Sequence, residues 1–76
     1  MSRQITIDCQ RLLCPMPVLR VQDRIAELDS GDQLTAVCTD PGVMQDLPAW
    51  CRVNGHAVRS AEESDGEYRV TVRVGG

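Results

Sequence analysis

Cys14 stands in the run Cys14-Pro15-Met16-Pro17, directly ahead of a stretch with helical periodicity. The thiolate is the reactive form of cysteine, and a place at the first turn of a helix favours it. Unpaired backbone N–H groups and the positive end of the helix dipole would face the sulfur there. Arg11 and Arg20 are the cations near enough in sequence to help, if they fold back toward it. The two prolines fix φ and so stiffen the presentation of the thiol. In the bland alternative Cys14 merely caps the helix, but Ser, Thr, Asp and Asn cap better than Cys and are chemically inert. The choice of residue points to a presented, acidic thiol.

The remaining cysteines are Cys9, Cys38 and Cys51. Cys9 is a candidate secondary thiol, able to pair with Cys14 or to act after it, although a residue at a strand end is the simpler reading. Cys38 and Cys51 fall at core positions of a strand and a helix, where cysteine behaves as a small apolar residue. Structural zinc ligands come in closely spaced pairs, and four cysteines with His56 do not offer them, so no metal is expected.

Composition removes other chemistries. Eleven acidic residues against eight basic ones give a net charge of −3, the wrong sign for gripping a phosphate backbone. Every basic residue is Arg, which excludes Schiff-base lysines and the lysine of a phosphate-binding loop. Phe is absent, with one Tyr and one Trp, so no aromatic platform for stacked bases can form. With 76 residues, 42% hydrophobic and 25% charged, a single domain over residues 1–76 with a thin core is expected, with no deep cleft. The opening residues MSRQITID lack a signal-like apolar run, and no window approaches a membrane span. A cytoplasmic location, reduced thiols and a monomer are the expectation.

The elements that must position Cys14 follow from pattern. Ile5 and Ile7 alternate with polar residues, a strand over about 3–7. Val18, Val21, Ile25 and Leu28 recur at helical spacing, so a helix should start at Cys14 or Pro15 and run to Ser30-Gly31-Asp32. Leu34, Ala36 and Cys38 share one face of a second strand. Asp40-Pro41 and Asp46-Leu47-Pro48 both read as helix starts, which predicts a turn at 41–45 and a regular helix from 46 or 47 to 54, stopped by Gly55. Strands at about 56–62 and 67–74 are joined through Ser64-Asp65-Gly66 as a hairpin. The order βαβαββ predicts an α/β (α+β) two-layer sandwich, a four-stranded mixed sheet covered on one face by two helices.

At Asp8, Leu12, Cys14, Pro15 and Pro17, and again at Asp40-Pro41 and Asp46-Leu47-Pro48-Ala49-Trp50-Cys51, the sequence resembles the TusA family of small sulfur-transfer proteins, also called SirA-like. The resemblance covers essentially the whole chain, with Arg11 where the family usually has Gly. It implies that Cys14 takes sulfane sulfur as a persulfide from a donor such as a cysteine desulfurase. The sulfur then goes to a downstream relay protein or thiolation enzyme, with transfer RNA thiolation, cofactor synthesis and sulfur oxidation open as destinations. Asp8, Pro15 and Pro17 support the motif, and no cofactor is implied. Met16, if exposed, gives the approach to Cys14 an apolar character.

Two other readings compete. Gly75-Gly76 fits a ubiquitin-like sulfur carrier that works through a C-terminal thiocarboxylate, although such a fold would read ββαββ. A non-enzymatic regulatory or interaction module would use Cys14 only as a thiol sensor or a cap.

Overall fold

Alternating apolar and polar residues build a four-stranded sheet in the computed structural model, which describes residues 2–76. The elements are β1 (Gln4–Cys9), α1 (Met16–Ile25), β2 (Gln33–Cys38), α2 (Val43–Asn54), β3 (Ala57–Ser64) and β4 (Glu67–Arg73). Their order across the sheet is β1-β2-β4-β3. β1 lies parallel to β2, with Ile5 opposite Leu34 and Cys9 opposite Cys38. β4 is antiparallel to both of its neighbours. The βαβαββ order, the mixed sheet and the two-layer α+β sandwich are those expected from the sequence.

One face of the sheet carries the core. Leu34, Ala36 and Cys38 of β2 and Val70 and Val72 of β4 are wholly buried against Val21 and Ile25 of α1 and Val43, Leu47 and Cys51 of α2. Fully burying a side chain such as Leu34 or Leu47 contributes about 1.5–3 kcal/mol, so these few residues carry much of a thin core. On the opposite face the Thr35 and Thr71 hydroxyls pair across β2 and β4 at 2.8 Å. Asp65 (φ 52°) and Gly66 (φ 80°) form the two-residue hairpin turn, both in the left-handed region that such a turn demands.

Helix limits differ from the sequence expectation. α1 begins at Met16, with Pro15 at the cap position and Pro17 buried inside the first turn. Cys14 therefore precedes the helix and is not part of its first turn. α1 ends at Ile25, after which Glu27 and Leu28 bond back three residues to Arg24 and Ile25, so the chain tightens before Gly31. α2 begins at Val43, earlier than expected, and runs through Pro48. Its opening turn already bonds Met44 to Pro41 and Gln45 to Gly42, so the missing Pro48 N–H costs one bond in an established helix. Gly55 closes α2 in the left-handed conformation at φ 78°, as expected.

Before β2, Asp32 is buried in a polar knot that the pattern reading did not reveal. Its carboxylate accepts the Arg3 N–H at 2.8 Å, the Asp29 N–H at 2.9 Å and the Arg3 guanidinium at 3.2 Å. These donors hold its carboxyl below the usual carboxylate range. The knot fixes the N-terminal approach to β1 against the α1–β2 connection.

Candidate functional site

The loop between β1 and α1 is held by its own backbone and by the β2–α2 loop. Asp8 accepts the Gln10 N–H at 2.9 Å, closing a local turn as β1 ends. Arg11 then enters the left-handed region at φ 65° and donates its backbone N–H to the Thr39 hydroxyl at 2.8 Å. The conformation explains why a glycine suits this position: it needs positive φ, which Arg adopts at a steric cost.

Cys14 follows, exposed, with its backbone N–H donated to Asp40 Oδ2 at 2.8 Å. The other Asp40 oxygen accepts the Gly42 N–H at 3.0 Å, so one carboxylate clamps the Cys14 loop to the start of α2. The Cys14–Pro15 peptide bond is cis. The Cys14 thiol donates to Asp46 Oδ2 in the first turn of α2. Asp40 and Asp46 thus contact the Cys14 residue through its backbone and its sulfur respectively.

This environment reverses the expected electrostatics. The hydrogen bond to Asp46 raises the Cys14 thiol above its ordinary range, with desolvation and the charges of Asp46 and Asp40 acting in the same direction. No arginine enters that balance. Arg20 instead lines a cavity of about 470 Å³ between β1 and α1, with Thr6, Ile7, Asp8, Asp23, Arg24 and Glu27. Arg11 meets the neighbouring loop through its backbone. The acidic thiol expected from sequence is therefore absent from the resting state, because the Asp46 hydrogen bond and the charges of Asp46 and Asp40 favour the protonated form. Asp40, by contrast, is held below the usual carboxylate range by the N–H groups of Gly42 and Cys14.

The other thiols are sequestered. Cys9 and Cys38 are fully buried side by side on paired strands. Burial raises the Cys9 thiol and pushes Cys38 up to about 12. Cys51, in the buried face of α2, is pushed up to about 11 by burial. Cys9 therefore sits in the core, while Cys14 meets solvent. Close to Cys14 in the chain, Leu13 is 74% exposed and Met16 is 43% exposed, so two apolar side chains flanking it in sequence meet solvent.

The last glycines are tied to the body of the protein. Gly75 donates its N–H to His56 Nδ1 at 2.9 Å, and His56 stacks on Trp50 with ring centroids 5.3 Å apart. A Cβ on Gly75 would approach Ser30 Oγ to 2.5 Å, so close packing as well as φ 75° asks for glycine there. Among the described residues no three His, Cys, Asp or Glu side chains gather as a metal-ligand set, and no helix is long and apolar enough to cross a membrane.

Sequence reading singled out Cys14, Asp8, Pro15 and Pro17, and the structure brings them to one loop and helix start. It did not assign Asp40 and Asp46 to the sulfur. The signal available was two aspartates flanking a helix start, which read equally well as caps.

Comparison with known proteins agrees with this fold. A candidate sulfur carrier protein of Neisseria meningitidis is 40% identical over 68 residues, 90% of this chain and 92% of its own. The sulfur carrier protein TusA of Pseudomonas entomophila is 34% identical over 68 residues, 90% of this chain and 85% of its own. The crystal structure of a SirA-like protein from Desulfitobacterium hafniense superposes with a TM-score of 0.83 at 31% identity, covering 95% of this chain and 99% of that one. The family described as Sulfurtransferase TusA matches residues 5–74. With its fold, its exposed Cys14 and these relatives, the chain belongs to the TusA family of sulfur carriers and sulfurtransferases.

Proposed function

We propose that Cys14 accepts sulfane sulfur from a persulfidated donor, such as a cysteine desulfurase, and passes it to a downstream relay protein or thiolation enzyme. The observation that carries the reading is the division among the thiols: Cys14 alone of the four cysteines is exposed. Attack of Cys14 Sγ on the outer sulfur of the donor persulfide breaks the donor's S–S bond and forms a new one on Cys14. The step exchanges one persulfide for another, so it is redox-neutral and calls for no cofactor. The exposed Leu13 and Met16, close to Cys14 in the chain, offer apolar surface suited to contact with a partner protein. Asp8, through its turn, and the two prolines set the loop that presents the sulfur. The span is read as one domain acting in the cytoplasm, with transfer RNA thiolation among the routes its sulfur could enter.

The raised resting thiol speaks for the rival, a regulatory or interaction module in which Cys14 transfers nothing. Incubation with a persulfidated desulfurase labelled in its outer sulfur separates the two. The wild type should gain about 32 Da, lost again on reduction, as the chemistry of a persulfide requires. Cys14→Ser should gain nothing while keeping its fold. Uptake by Cys14→Ser, or a shift of about 16 Da confined to the C-terminal peptide, would sink the proposal and in the second case favour a thiocarboxylate.

A further inference from the structure

If Cys14 transfers sulfur, its thiol proton has to leave, and the resting structure already directs it. The Cys14 S–H points to Asp46 Oδ2. Asp46 lies in the first turn of α2, and among the described residues it joins no ion pair. Asp40 is the poorer base, because both of its oxygens accept backbone N–H groups. Its contact is with the Cys14 backbone, which makes it a positioning residue.

We propose that Asp46 is the proton relay of the transfer, taking the thiol proton as Cys14 Sγ attacks the donor persulfide and returning it to the donor's departing thiolate. This rests on the Cys14 persulfide reading. Written in full, Cys14–SH and donor–S–SH give Cys14–S–SH and donor–SH. The donor S–S bond breaks, the Cys14 S–S bond forms, and the outer sulfur keeps its own proton. The Cys14 proton travels through Asp46 to the donor sulfur, and Asp46 ends as the carboxylate it began as. No net electrons are exchanged. The relay also reconciles a thiol kept protonated at rest with a role as nucleophile, since the group that holds the proton is the group that removes it.

Asp46→Asn separates the relay from simple electrostatics. Without the carboxylate charge the Cys14 thiol becomes more acidic, so alkylation by iodoacetamide at pH 7 should speed up several-fold, a reaction whose departing iodide takes no proton. Sulfur acceptance from glutathione persulfide labelled in its outer sulfur should instead fall about a hundredfold at pH 7. The gap should close as pH rises past the thiol pKa, where wild-type Cys14 is already a thiolate and Asp46 has no proton to return. Asp46→Glu, which keeps the carboxylate, should restore part of the rate. If Asp46→Asn does not fold, Asp46→Ser tests the same point. An Asp46 variant that accepts sulfur as fast as the wild type, or faster in step with alkylation, overturns the relay alone. Acceptance by Cys14→Ser, or none by the wild type, overturns the persulfide reading beneath it.

Discussion

Cys14 and Cys38 both hold their thiols above the ordinary range, and the causes are opposite in kind. Cys38 is raised to about 12 by burial, beside the Cys9 thiol. Cys14 is exposed, and its largest cause is one hydrogen bond to Asp46. A shift caused by burial persists until the core opens, whereas one caused by a single partner ends when that partner takes the proton or turns away. The same fold thus contains cysteines that are inert by packing and one whose reactivity can be released by a local event. Accessibility, rather than resting acidity, distinguishes the candidate carrier from its neighbours.

The largest effect should appear in alkylation. Native protein at pH 8 treated with iodoacetamide should take one label, at Cys14, and all four cysteines should react once guanidinium opens the core. Peptide mass mapping reads the sites, and native labelling of Cys9, Cys38 or Cys51 would erase the comparison. Variants bearing Ala at those three positions should still accept sulfur as far as they fold, in contrast to Cys14→Ser.

Adjacent residues of α2 sharpen the same contrast. Leu47 is wholly buried, while Asp46 next to it holds the thiol. Leu47→Ala should cost about 2–5 kcal/mol through lost burial and the cavity left behind. Urea unfolding would show it as a lower midpoint, with sulfur acceptance retained in the fraction that remains folded. Asp46→Asn should do the reverse, with a small change in midpoint and a large one in acceptance. A matching loss of stability in both variants would mean that Asp46 serves the fold rather than the sulfur.

Within the core, Cys38→Ser should destabilise by about 1–3 kcal/mol, because a hydroxyl replaces a thiol in a site built for a weakly polar group. Its unfolding midpoint should fall while alkylation at Cys14 keeps its native rate. A faster Cys14 reaction in that variant would show that the strand ends and the Cys14 loop are coupled, and would blur the division drawn above.

Much of this was legible in the sequence. Alternation at Ile5 and Ile7 and along Tyr68–Val74, helical spacing from Val18 to Ile25 and the stop at Gly55 specify the elements, because burial on one face imposes those periods. Cys14 stood out because a position that read as a helix cap held a residue that caps poorly, although the cap itself falls at Pro15. Helix ends were less legible: the start of α2 depends on bonds accepted by the Pro41 and Gly42 carbonyls that no periodicity encodes, and α1 starts at Met16, after Cys14. The partners of Cys14 were hidden for a related reason. Asp40 and Asp46 are 26 and 32 residues away, and only the packing of two loops against each other brings them to Cys14.

Arg11 gives the smallest effect and tests the scaffold rather than the chemistry. Its backbone occupies the left-handed region at φ 65°, while its N–H, and not its side chain, makes the bond to Thr39. Arg11→Gly relieves the clash that a Cβ makes in that conformation and keeps the Thr39 bond, but it also adds freedom to the unfolded chain. The net gain should be about 0.5 kcal/mol, seen as a slightly higher urea midpoint with unchanged slope. Sulfur acceptance from a small persulfide should stay at the wild-type rate, because no arginine enters the Cys14 balance. If acceptance from a protein donor falls while the small persulfide is unaffected, the arginine serves partner contact. If stability falls instead, the side chain makes a contact that compensates its backbone, and the loop is held less by Thr39 and Asp40 than their hydrogen bonds imply.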